Sequence, residues 1–132
     1  MNPLGIDNQL SDLDILRQIR NANPTSQLPN LWLDSENPYT QWEGVTWNAE
    51  KTRVIKLDVN SRLVLTLQNV NKLTALLYLN CSSNQLTALD ATGLTNLQTL
   101  YCYTNQLTAL NVTGLTTLQQ LFCTSNKLTT LS

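Results

Sequence analysis

The 132-residue chain contains no histidine. That removes the side chain most often used to shuttle protons near neutral pH, and the commonest nitrogen ligand for metals. Charge is scarce too: eight Lys and Arg against nine Asp and Glu leave a net charge of −1. Such a balance offers no electrostatic footprint for nucleic acid or for an anionic membrane. No apolar run approaches bilayer-spanning length, so no membrane insertion is expected. Met1–Leu10 has neither a basic region nor an apolar stretch, so no secretory leader is expected within these residues. Two locations stay open: extracellular or cell-surface with a leader removed, which we take as the expectation, or cytoplasmic. Cysteines number three, and no two are closer than 21 residues, so short-spaced metal-ligand patterns are missing. There is no Gly-rich phosphate loop and no nucleophile elbow. A general acid–base pair would need a His or two convergent carboxylates. The sequence therefore predicts no catalysis and no cofactor.

What the chain does have is a repeat. From Leu76 it reads LLYLNCSSNQLTALDATGLTN, LQTLYCYTNQLTALNVTGLTT and LQQLFCTSNKLTTLS. Cys81, Cys102 and Cys123 recur at a step of 21, as do Asn84, Asn105 and Asn126, and Leu86, Leu107 and Leu128. The frame L-x-x-L-x-C-x-x-N-x-L is the leucine-rich repeat frame, with Cys in the last apolar slot of the strand. Leu79-Asn80-Cys81, Leu100-Tyr101-Cys102 and Leu121-Phe122-Cys123 alternate apolar and polar, the period of a strand with one buried face. No repeat can bury its leucines alone, so neighbours must stack, at about 4.8 Å per strand, into a parallel sheet. The fold class predicted is an α/β solenoid with one parallel strand per repeat.

Each slot has a structural task. The three cysteines read as a ladder of small buried hydrophobes, poor as nucleophiles. Asn84, Asn105 and Asn126 stand where the chain leaves the strand, and their amides can satisfy backbone groups that the turn frees, rung to rung. Leu86, Leu89, Leu94 and Leu97 fill the core from the convex side, and Gly93 and Gly114 mark tight turns. A degraded repeat precedes these: Val54, Leu57, Val59, Val64 and Leu67 match at a step of 22, with Arg62 in place of the Asn. The ladder is thus expected to start one repeat late, and the extra residue to lie in a surface loop, 68–72. Repeats span 54–75, 76–96, 97–117 and, in part, 118–132.

Residues 1–52 read as a capping segment. Asn2–Gln9 is a loose lead-in. Ser11 and Asp14 form a capping box, and Leu10, Leu13, Leu16 and Ile19 recur every three residues, predicting a helix over about 11–21 that ends before Asn23-Pro24. Thr25–Asn30 reads as a loop and Leu31-Trp32-Leu33 as an apolar anchor. Asn37-Pro38 signals a turn. A strand over about 42–47 and a turn at Asn48–Thr52 lead, as a short hairpin, into Arg53–Val59, the first repeat strand. The helix with Trp32, Trp42 and Trp47 can plug the open end of the stack.

Through L-T-x-L-x-x-L and N-x-L-T-x-L, the repeats resemble bacterial leucine-rich repeat proteins, including the internalin type. The N-terminal part resembles the cap of plant leucine-rich repeat receptors. The residues that carry this are Asp14-Ile15-Leu16, Leu31-Trp32, Asn37-Pro38, Trp42-Glu43-Gly44-Val45-Thr46 and Arg53-Val54-Ile55-Lys56-Leu57. The plant cap carries a disulfide. Here its places hold Tyr39 or Thr40 and Trp47, so the resemblance implies aromatic packing in place of the bridge. It also implies a non-catalytic interaction scaffold, with a protein partner.

The outward strand positions follow from the alternation: Lys56, Asp58, Asn60; Tyr78, Asn80, Ser82; Thr99, Tyr101, Tyr103; Gln120, Phe122, Thr124. Tyr78, Asn80, Tyr101, Tyr103, Gln120 and Phe122 are the candidate partner-binding residues on the concave sheet. Aromatics are enriched at binding hot spots, although cross-strand aromatics also stabilise sheets. Lys56 and Asp58 read as a solvated ion pair. Asn80-Cys81-Ser82 and Asn111-Val112-Thr113 match the N-glycosylation signal, which arises readily by chance in Asn- and Thr-rich repeats. A protein-binding module, a carbohydrate-binding surface and a structural spacer of a longer surface protein all fit these features. The chain ends mid-repeat at Ser132, so Leu121, Cys123, Leu128 and Leu131 are expected to face solvent, with self-association through that end.

Overall fold

The computed structural model describes residues 10–132. The lead-in expected over Asn2–Gln9 lies outside the described residues. Helix α1 runs Asp12–Ala22; Ser11 is its N-cap, and the Ser11 hydroxyl accepts from the Asp14 amide. The every-third-residue stripe makes only part of the buried face: Leu16 and Ile19 are buried and Leu13 is half-buried against the core. Leu10 is 42% exposed, and the buried residues are Asp12, Ile15, Leu16 and Ile19. Leu10 precedes the Ser11 cap and so lies outside the helix, and Ile15 takes the place beside Leu16 and Ile19 on the buried face.

The segment expected as a loop over Thr25–Asn30 holds a short helix, α2 (Leu28–Leu31), with Pro29 in its first turn, where a missing N–H costs nothing. The strand expected over 42–47 shrinks to β1, Val45–Trp47. Trp42 and Gly44 sit in the approach to it. Gly44 has φ +82, and its missing Cβ would lie 2.0 Å from the Asp58 carbonyl oxygen. Only glycine fits that close approach.

Strands β2 (Val54–Asp58), β3 (Tyr78–Asn80), β4 (Thr99–Tyr101) and β6 (Gln120–Phe122) are parallel, and β1 pairs antiparallel to β2, giving the order β1-β2-β3-β4-β6. Leu57, Leu79, Leu100 and Leu121 stand in register; the first three are fully buried. A second sheet pairs β5 (Ala109–Leu110) with β7 (Thr130–Leu131), preceded by a bridge between Asp90 and Asn111.

The stretch 68–72 is more than a surface loop. Val70–Lys72 forms a 3₁₀ turn whose Val70 is fully buried, and this turn packs against α1. The extra residue thus gives the helix an apolar seat. At the other end Leu121, Cys123 and Leu128 are half-buried against the core, and only Leu131, 55% exposed, faces solvent as expected.

The cap is closed by indoles. Trp32 and Trp42 are buried and stack with centroids 5.6 Å apart. Their N–H groups donate to the carbonyls of Glu43 and Leu33. Tyr39 meets Trp47 edge-on at 4.8 Å. Of the residues expected in place of a bridge, Tyr39 or Thr40 and Trp47, it is Tyr39 that packs on Trp47.

Candidate functional site

The asparagines determine how the rungs hold together. The Asn105 carboxamide oxygen accepts from the Leu86 amide, and its NH2 donates to the carbonyls of Cys81, Cys102 and Tyr103. Asn126 repeats the pattern on Leu107, Cys102, Cys123 and Thr124. Asn84 reaches back to the amides of Arg62 and Val64 and the carbonyl of Val59. Each Asn therefore ties its own turn to the preceding rung.

The degraded first repeat has its own substitute. Asn23, fully buried just beyond α1, accepts from the amides of Leu65 and Thr66 and donates to the carbonyls of Thr66 and Ile19. The sequence showed Asn23 only as a helix stop, and no periodicity points to its partners. Asp12 was also unforeseen. Only 4% exposed, it accepts from the Arg53 guanidinium at 2.9 Å and from the Val54 amide at 2.8 Å.

Between the rungs lie the thiols. Cys81 and Cys102 are buried and Cys123 half-buried, and all three are free. Burial pushes the Cys81 thiol well above its ordinary value and the Cys102 thiol up to about 12. Neither is a nucleophile at neutral pH.

The outward face of the sheet is laid out by strand register. One row holds Lys56, Tyr78, Thr99 and Gln120; the next holds Asp58, Asn80, Tyr101 and Phe122. A third row, Asn60, Ser82, Tyr103 and Thr124, follows two residues on. Tyr101 is the hub. Its ring stacks on Phe122 at 4.9 Å with 10° between planes, meets Tyr78 edge-on at 5.7 Å and lies 6.4 Å from Tyr103. Its hydroxyl donates to the Gln120 side-chain oxygen at 2.8 Å. Phe122 is 51% exposed, Gln120 is exposed, and the three tyrosines are half-buried.

Two expectations for this face need correcting. Asn80, a candidate contact residue, is only 7% exposed, and its side-chain oxygen accepts from the Ser82 amide. Alternation fixes which way Asn80 points, but its carboxamide is taken up by the Ser82 amide and the Tyr78 hydroxyl. Lys56 and Asp58 are not an ion pair. The Lys56 ammonium lies 4.9 Å over the Tyr78 ring, and an Asp58 carboxylate oxygen accepts from the Asn60 amide. Burial raises the Tyr78 phenol above its ordinary value, and the Asp58 charge adds to the shift. Beside Asn80, the Ser82 hydroxyl is fully buried and has no hydrogen-bond partner among the described residues.

Residues 74–114 match the family described as leucine-rich repeats (two copies). No curated protein matches the chain. Among solved structures, the BIR3–SERK2 complex from Arabidopsis thaliana is similar, with a TM-score of 0.72 and 24% identity over 89% of this chain and 70% of that one. The LRR ectodomain of the receptor kinase SOBIR1, also from Arabidopsis thaliana, aligns with a TM-score of 0.63 and 26% identity over 92% of this chain and 70% of that one. The fold is that of a leucine-rich repeat domain: parallel strands in one sheet behind an N-terminal helix. None of these matches indicates an enzyme family.

Proposed function

We propose that the chain is a non-catalytic scaffold that binds a protein partner through the outward, concave face of the five-stranded sheet. The observation that carries this reading is the half-exposed aromatic run Tyr78–Tyr101–Phe122, with Tyr103 beside it, on a face whose other positions are polar, with Lys56 and Asp58 at its β2 edge. Rigid aromatics supply large contact area at low entropic cost, and they dominate measured hot spots. That a similar leucine-rich repeat structure is a complex of two proteins supports a protein as the partner. Asn80 is buried and donates to the Tyr78 hydroxyl, so it supports the cluster rather than meeting the partner. We further take the chain to act outside the cell or at its surface; the support is its likeness to a receptor's ectodomain.

The test is a pair of baits run against surface and culture extracts: the chain itself, and Tyr103→Ser with Phe122→Ser. These two positions lie at the margin of the cluster, so the Tyr78–Tyr101 contact stays. A partner held by the first bait and lost by the second, at unchanged melting temperature, is the expected result. Equal retention on both baits, or elution by soluble glycans, would overturn the reading.

A further inference from the structure

We propose that Asn111 is an acceptor for N-linked glycan, and that Asn80, which carries the same three-residue signal, is not. The sequence treats the two alike; the structure separates them. Asn80 is buried within β3, and the hydroxyl residue of its signal, Ser82, is fully buried. Asn111 and Thr113 are both exposed. The Asn111 side-chain oxygen accepts from the Thr113 amide at 2.9 Å, which turns the carboxamide back on its own loop. Its NH2 donates to no atom among the described residues, so the nucleophilic nitrogen is free.

Space is available as well. The next residue, Gly114, turns at φ +83, and a Cβ built on it would meet nothing within 4 Å. A bulky, solvated substituent needs such a surface turn. The preceding repeat has the same turn but Asp90 in the acceptor position, so the signal occurs once among these turns. Asn111 bridges Asp90 beside the second sheet, away from the strands that carry the tyrosines. A glycan there would leave the aromatic face open.

The chemistry is a group transfer from a polyprenyl-diphosphate-linked oligosaccharide. The Asn111 Nδ2 bonds to the anomeric carbon of the first sugar, the bond from that carbon to the phosphate oxygen breaks, and the polyprenyl diphosphate leaves. The amide proton passes to a base. The inference does not depend on what the sheet binds.

The experiment is secretion of the full chain, behind a cleavable leader, from a eukaryotic host, followed by intact-mass and peptide mapping. The expected product carries one glycan, on Asn111, removable by peptide N-glycosidase. Asn111→Gln and Thr113→Ala should each abolish it. Ser82→Ala should leave it in place, since that change destroys only the second signal. Folding of each variant is checked by its melting curve. Secreted, folded chain without a glycan, or with glycan on Asn80, or with glycan surviving in Asn111→Gln, would overturn the proposal.

Discussion

At the residue scale, the same backbone problem recurs every 21 or 22 residues and receives the same answer each time. Ser61, Ser83, Thr104 and Ser125, one position before each turn asparagine or its Arg62 counterpart, all have φ between 55 and 57. Left-handed backbone costs an ordinary L-residue about 1–2 kcal/mol, and β-branched Thr104 is the worst placed of the four. Thr104 is exposed, and its amide donates to the Thr124 carbonyl whatever the side chain. Thr104→Asn should therefore raise stability by about 1 kcal/mol, read as a higher melting temperature, because asparagine tolerates this conformation. An unchanged or lower value would contradict the strain.

Asn105 is the opposite case. Replacing it by Ala leaves the buried Leu86 amide unpaired, while the Cys81, Cys102 and Tyr103 carbonyls keep donors in Asn84, Asn126 and the Ser83 amide; the cost should be about 2 kcal/mol in denaturant unfolding. A cost under about 1 kcal/mol would mean that water replaces the rung. The asparagine ladder was legible because identical slots in a stack demand identical chemistry. Asn23 was not, since its partners Leu65 and Thr66 lie 42 and 43 residues away and no period links them. For Asn80 the reason is different: alternation gives the direction of a side chain but not the hydrogen bonds that draw it in.

At the scale of elements, the cap and the first strand are joined by one carboxylate. Asp12, at the first turn of α1, holds both the Arg53 side chain and the Val54 amide at the start of β2. Asp12→Ala should destabilise the chain by about 2 kcal/mol, since it leaves the Val54 amide buried and unpaired. In hydrogen exchange, the amides of α1 should lose protection before those of β3 and β4. Equal loss across all of them would show that helix and repeats open as one unit. The helix, the three tryptophans and the repeat strands could be read from capping and period. The seat that Val70 makes under α1 could not, because an insertion in a repeat looks the same whether it faces solvent or a neighbour. Where the plant-type cap has a bridge, Tyr39 and Trp47 touch instead.

At the scale of the whole molecule, a core threaded by thiols sets a limit at alkaline pH. In the folded chain Cys81 and Cys102 hold their protons above the ordinary value of 9.0. Above pH 9 the unfolded chain binds fewer protons than the folded one, so stability falls as pH rises; below pH 9 the contribution is fully present. For Cys102 the loss is complete near pH 12 and on the order of 4 kcal/mol. Cys102→Ala should flatten this limb while lowering stability at neutral pH through the cavity it leaves. A limb unchanged by that substitution would assign the alkaline loss elsewhere.

The same stacking that buries the thiols lines up the tyrosines on the opposite face, where we propose the partner binds. The most direct measurement is amide hydrogen exchange of the chain, free and with its captured partner. Added protection is expected in 78–80, 99–103 and 120–124, and none in α1. Protection confined to α1 or to the turns at Asp90 and Asn111 would contradict the proposal.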